Sequence, residues 1–210
     1  MDLWIWIIAA AAAAVLISLI DPIVKYFVVF RRRKPKGGVL MEKYLEKTGG
    51  WIPGAQALVM LEPVVRRLAL FHTNGRVHLD LCPQRIVVVP GQQKMALLGP
   101  GRSGNIRPGY SAPEQYGGKT GLWTDVYAVA AVFYRMAVGK NPPEAAQRIE
   151  NDTEVAQAVA GMDVADEIKQ ALLRALNLEP KARFQDCGML AQDLYPHSKP
   201  PAEQVNLKRK

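Results

Sequence analysis

An unbroken stretch of eighteen uncharged residues, LWIWIIAAAAAAVLISLI, opens on Leu3 and closes on Ile20. As an α-helix rising ~1.5 Å per residue it would cover ~27 Å, close to the ~30 Å hydrocarbon core of a bilayer. A soluble core helix rarely needs such a run, so the expected element is one transmembrane helix. Trp4 and Trp6 stand near one end, where indole rings favour the headgroup region. Arg31, Arg32, Arg33 and Lys34 follow a second apolar stretch, IVKYFVVF. Positive charge stays cytoplasmic, which puts the N-terminus outside and the remainder of the chain on the cytoplasmic side. Asp21 and Pro22 then fall near the inner boundary, and residues 23–30 fit either a continuation of the span or an interfacial stretch. A cleaved signal peptide is disfavoured, because it needs basic residues ahead of its apolar run, and here Met1 and Asp2 precede it.

The 210 residues, 49% of them apolar, suffice for one ordinary globular domain beyond the membrane segment. A net charge of +8 would fit a nucleic-acid partner if the charge were spread over a surface. It is not. Arg31, Arg32, Arg33, Lys34 and Lys36 at one end and Lys208, Arg209 and Lys210 at the other hold the excess, leaving 19 basic against 19 acidic residues between and around them. No nucleic-acid partner is therefore expected. Cys82 and Cys187 lie far apart without CxxC spacing, so neither a disulfide framework nor a zinc site is indicated.

Beyond the linker KPKGG, MEKYLEKT reads as a brief helix ended by Gly49 and Gly50. Residues 55–71 form a longer one, with Leu58, Leu61, Val65 and Leu68 on one face, Pro63 as a kink and Gly75 closing it. RIVVV and KMALL, separated by Pro90 and Gly91, predict a small β-hairpin. Residues 99–116 are dense in Gly and Pro and read as loop with at most one helical turn. Thr124 then caps the helix TDVYAVAAVFYRMAVG, apolar on most of its circumference and therefore central, which ends at Gly139. Helices at about 143–160, 164–176 and 186–194 follow, before a polar tail. The expected fold class is mainly α with a small β-hairpin, preceded by one transmembrane helix.

The order of long helix, VHLDLCPQRIVV, hairpin, Gly/Pro loop, SAPEQY and buried helix is similar to the C-terminal lobe of bacterial-type Ser/Thr protein kinases. The catalytic-loop signature H-R-D-L-x-x-x-N resembles His78, Leu79, Asp80 and Leu81, with Arg85 at the Asn position. The A-P-E signature stands as Ala112, Pro113 and Glu114. The resemblance implies that Asp125 braces the catalytic loop and that Arg183 pairs with Glu114. On this basis residues 1–30 are membrane helix and apolar continuation, 31–38 a basic juxtamembrane linker, 39–196 the kinase-like C-lobe and 197–210 a polar basic tail.

Against that pattern several parts are missing. Only residues 31–53 separate the apolar segment from the long helix, too few for the strands of a nucleotide-binding lobe. KMALLGPGR places Leu97, Leu98 and Gly99 on the family's D-F-G, and leucine offers no oxygen to magnesium. Arg85 at the second metal-ligand position would repel the ion. Asp80 keeps the position of the catalytic base, but as a vestigial one, and the loop-bracing reading is preferred for it. Leu79 and Cys82 replace the family's Arg and Lys. Gly99, Gly101 and Gly104 satisfy G-x-G-x-x-G, yet Pro108, Gly109 and Pro113 prevent the helix that a dinucleotide site requires.

The functional expectation is a membrane-anchored pseudokinase lobe, not an enzyme, holding neither ATP nor magnesium. It would meet lipid through residues 3–20 and an unknown protein partner on the face where an N-lobe would sit. The competing expectations are a Ser/Thr kinase activity completed in trans by another chain and a decayed fragment with no present role.

Overall fold

The structure is a computed structural model, and it describes residues 34–197 apart from 36, 90, 92–93 and 100–104. The expected membrane helix at 3–20, its continuation to residue 30, Arg31, Arg32 and Arg33, and the tail from 198 lie outside the described residues. Among the described residues no helix is long and apolar enough to cross a membrane.

The chain enters through strand β1 (Val39–Leu40) and helix α1 (Met41–Lys47), which ends before Gly49 and Gly50 at φ 87° and 91°, backbone that glycine adopts freely. Helix α2 (Gly54–His72) runs through Pro63 as a single element. The proline has no N–H for the carbonyl of Val59, and Val59 is exposed, so water can take the place of the missing partner. Met60, Leu61, Val64, Val65 and Leu68 on its opposite face are fully buried.

Strands β2 (Ile86–Val89) and β3 (Lys94–Leu97) pair antiparallel, with Ile86 opposite Leu97 and Val88 opposite Met95. The expected hairpin proves to be part of a three-stranded sheet, because β1 pairs antiparallel with the other edge of β2, Val39 opposite Val88 and Leu40 opposite Val87. Two residues are too short for any periodicity to announce a strand. As the middle strand, β2 buries Ile86, Val87 and Val88.

Helix α3 (Leu122–Val138) is buried continuously from Thr124 to Met136, as its apolar circumference requires, and Gly139 ends it in a left-handed conformation at φ 84°. Thr124 lies inside the helix, not at its cap, and its hydroxyl accepts the Gly121 N–H at 3.0 Å. The single helix expected at 143–160 is two, α4 (Ala145–Glu150) and α5 (Thr153–Ala160), because Asn151 breaks the run and its side-chain oxygen accepts the Thr153 N–H at 3.0 Å. Helices α6 (Asp166–Ala175) and α7 (Cys187–Leu194) complete the domain. The core is the packing of α2 against α7, β3 and α3. The Tyr195 hydroxyl fastens the end of α7 to α2 by donating to the Leu58 carbonyl at 2.9 Å.

Candidate functional site

The site is built on the segment between α2 and β2. Asp125, fully buried on α3, accepts the backbone N–H of His78 at 2.6 Å and of Leu79 at 2.8 Å. The His72 Nε2, at the end of α2, donates to the same carboxylate at 3.1 Å, since the Nδ1 of that ring accepts the Cys187 N–H at 2.9 Å. One carboxylate thus joins α2, α3, α7 and the loop. Leu79 sits at φ 56°, the only described non-glycine residue with positive φ, a conformation that costs an L-residue ~1 kcal/mol. Both its peptide groups are held, the N–H by Asp125 and the carbonyl by Gln115 Nε2 at 3.0 Å.

His78 is buried beside it. Its Nε2 donates to the Leu98 carbonyl at 3.0 Å while Nδ1 accepts the Asp80 N–H at 3.3 Å, which fixes the neutral tautomer. Burial pushes its pKa below the ordinary value, against the opposing charge of Asp125. The buried Asp80 side chain meets two guanidinium groups. Arg85, in the short turn Pro83–Arg85, donates from Nε to Asp80 Oδ2 at 2.6 Å. Arg107 donates from Nε to Oδ1 at 2.8 Å. Burial of the carboxyl works to raise its pKa, but the hydrogen bonds and charges of Arg107 and Arg85 outweigh that and hold it below its ordinary value. The Cys82 thiol, pointing back to the Asp80 carbonyl at 3.8 Å, is pushed up by burial.

Below the loop, Ala112, Pro113 and Glu114 enter the turn Pro113–Tyr116. Arg183 holds both oxygens of Glu114, at 2.8 and 3.0 Å, and also donates to the carbonyls of Asn177, Leu178 and Trp123. The Thr124 hydroxyl donates to Glu114 at 2.8 Å, tying the pair to α3.

The structure therefore brings Asp80 and Arg85 together on the loop that Asp125 braces at His78, sets Leu97 opposite Ile86 in the sheet, and joins Glu114 to Arg183. Of the glycine-rich stretch only Gly99 is described, Gly101 and Gly104 falling outside the described residues. Arg107 was missed by sequence reasoning. It stands 27 residues from Asp80, and only the turn in which its N–H and carbonyl bond the Ser111 hydroxyl and N–H brings it there.

No protein-family model matches the chain. Curated relatives do. The chain is 29% identical to the serine/threonine-protein kinase PknL of Mycobacterium tuberculosis over 76% of its length and 44% of that protein. It is 32% identical to PknA of the same species, over 50% of this chain and 27% of that protein. A probable serine/threonine-protein kinase of Clostridium acetobutylicum is 25% identical over 72% of the chain. The chain spans less than half the length of these relatives. Among solved structures, PpkA-294 in its apo form superposes with a TM-score of 0.66 at 25% identity, covering 75% of this chain and 60% of that one. The Mycobacterium tuberculosis PknI kinase domain gives 0.58 at 23% identity, covering 77% and 63%.

These findings overturn the expectation that the chain is not an enzyme. That expectation rested on Leu97, Leu98 and Gly99 at the D-F-G positions, on Arg85 at the Asn position and on residues 31–53 being too few for a nucleotide-holding lobe, all of which bear on metal and nucleotide contacts. The relatives are named Ser/Thr protein kinases, solved structures of kinase domains share the fold, and the loop that carries Asp80 is braced throughout by hydrogen bonds. The chain is homologous to bacterial serine/threonine kinases, and its described residues have a protein-kinase-like fold, mainly helical with a small three-stranded sheet.

Proposed function

We propose that this chain is a membrane-tethered kinase C-lobe that binds and regulates protein partners, and that phosphoryl transfer through Asp80 depends on groups supplied from outside residues 34–197. The observation that carries this reading is the pair of guanidinium groups on Asp80. A general base needs a carboxylate oxygen within hydrogen-bond reach of the substrate hydroxyl, and here Arg85 engages one oxygen and Arg107 the other. Transfer also needs hard oxygen ligands for magnesium and cations on the phosphates. Leu97 presents only carbon, and Arg85 carries a charge that opposes a metal ion. On this reading residues 34–197 alone take up neither ATP nor magnesium. The protein partner docks on the face where a complete kinase places its nucleotide-holding lobe.

The uncharged run at 3–20 and the basic cluster after it support a single-pass anchor, with the N-terminus outside and the domain on the cytoplasmic side. Removing residues 3–20 is expected to move the chain from the carbonate-washed membrane pellet to the soluble fraction. Retention in the pellet would rule out the tether.

The full chain, in membranes and after purification, is to be incubated with labelled ATP and magnesium, with crosslinking and mass spectrometry on the membrane sample. Label transfer confined to the sample that contains the crosslinked partner is expected. Equal transfer by the purified chain alone, abolished by Asp80→Asn, would overturn the dependence on outside groups.

A further inference from the structure

Among the described residues the charges around Asp80 do not balance. Two guanidinium groups meet one carboxylate, and the other polar groups of the loop add no compensating charge. His78 is held as the neutral tautomer, and Asp125 is fully buried with its oxygens taken by His72, His78 and Leu79. The contrast with the deeper pair is informative. There one arginine meets one glutamate, and the Arg183 side chain is 0% exposed. The side chains of Arg85 and Arg107 remain 28% and 33% exposed, although the Asp80 side chain they hold is 2% exposed.

Asp80 occupies Nε and Nη2 of Arg85 and Nε of Arg107. Among the described residues, Arg85 Nη1 and both Nη atoms of Arg107 make no hydrogen bond. A buried anion therefore anchors two cationic forks by one edge and leaves three donor nitrogens available. Fixing the forks in advance removes much of the side-chain ordering that a ligand would otherwise impose.

We propose that Arg85 and Arg107 form a phosphomonoester site that takes the phosphorylated serine or threonine side chain of a protein partner. A guanidinium fork matches the spacing of two phosphate oxygens, and a phosphomonoester offers three oxygens and up to two charges where a carboxylate offers two oxygens and one. Such side chains are the product of the reaction for which the relatives are named. Asp80 orients the forks while its own charge opposes the incoming anion. The inference rests on the reading of Asp80 as a clamped carboxylate and adds the ligand of that site.

The test uses the full chain in detergent, without nucleotide or metal, titrated into a fluorescent peptide carrying one phosphothreonine and into the same peptide unphosphorylated. Anisotropy is expected to show the phosphopeptide binding at least about ten-fold more tightly, the contribution of one charge-assisted hydrogen bond or more. Arg85→Gln and Arg107→Gln should each lose about ten-fold, and binding should weaken as salt rises. Asp80→Asn keeps a side-chain oxygen that can still accept from a guanidinium and removes the charge that opposes the phosphate, so the charge relief should exceed the lost ordering and tighten binding, a result that a merely structural aspartate would not give. Inorganic phosphate should compete only at far higher concentration than the phosphopeptide.

Equal binding of the two peptides, parent-like binding by the arginine variants, or competition by phosphate at the peptide's own concentration would overturn the proposal. Thermal unfolding monitors the fold of each variant. If the arginine variants are unfolded, Asp80→Asn decides, since unchanged or weaker binding there also overturns it. Because nucleotide is absent, a null result beside partner-dependent label transfer removes this inference and leaves the proposed function standing.

Discussion

Asp125 and Leu79, 46 residues apart, are joined by a 2.8 Å hydrogen bond in which a buried carboxylate accepts the N–H of the one described non-glycine residue with positive φ. Replacing that carboxylate removes the acceptor for His78 and His72 as well. Asp125→Ala is expected to destabilise the domain by about 3 kcal/mol or more in urea unfolding, the range for breaking a buried charged network. Asp125→Asn should cost nearly as much, because one end of an amide would turn a donor toward a donor. A parent-like midpoint for the asparagine variant would contradict the bracing role.

Arg183→Lys provides a second measurement. Arg183 reaches both Glu114 oxygens and three carbonyls, whereas lysine has three donors on one nitrogen and cannot span them. The conservative change should therefore cost about 3 kcal/mol in unfolding free energy, leaving Glu114 buried with its partner displaced. A loss under about 1 kcal/mol would show that the fork geometry is unimportant.

Acid should weaken the domain in two successive windows. His78 has a folded pKa below its unfolded value of about 6.5, so the unfolded chain binds the proton first and stability falls as pH drops below that value. Asp80 is also depressed, so the stabilisation from its arginines is complete above the unfolded carboxyl value of about 4 and is lost as pH falls toward the lower folded one. Urea midpoints of the parent and Asp80→Asn should differ by a constant amount from pH 5 to 7 and converge below about pH 4. A difference that persists unchanged to pH 2 would contradict the clamp.

The two thiols should be inert in the native protein. Burial pushes Cys187 well above its ordinary pKa, and Cys82 is raised too. Alkylation by iodoacetamide at pH 7.5 should be slow for both and rise together across the urea transition. Rapid native-state labelling of Cys82 alone would show that its surroundings are open.

The long elements and the ordered motifs were legible in the sequence because each is a local pattern. The face of α2, the apolar α3 and the glycine that ends it needed no tertiary knowledge, whereas His78, Asp80, Glu114, Asp125 and Arg183 were singled out only through the resemblance to kinase signatures. Three features were not legible. Strand β1 has two residues and exists only through its pairing with β2. The break between α4 and α5 lay in the Asn-Asp-Thr sequence, but apolar spacing on either side masked it. Arg107 joins Asp80 through a turn whose geometry depends on Ser111, so its meaning appears only after folding. The inference from two metal-ligand positions and a missing nucleotide-holding lobe to a non-enzyme failed because those features speak to ion and nucleotide binding, while the fold is braced by the buried bonds of Asp125 and Arg183.

Glu114 and Arg183 are 69 residues apart, and helices α3, α4, α5 and α6 all lie between them along the chain. Together they close a circuit whose two ends meet at a single latch. A nick at the Asn151–Asp152 junction should therefore yield two fragments that stay together through that latch and the packing of α7 against α2 and α3.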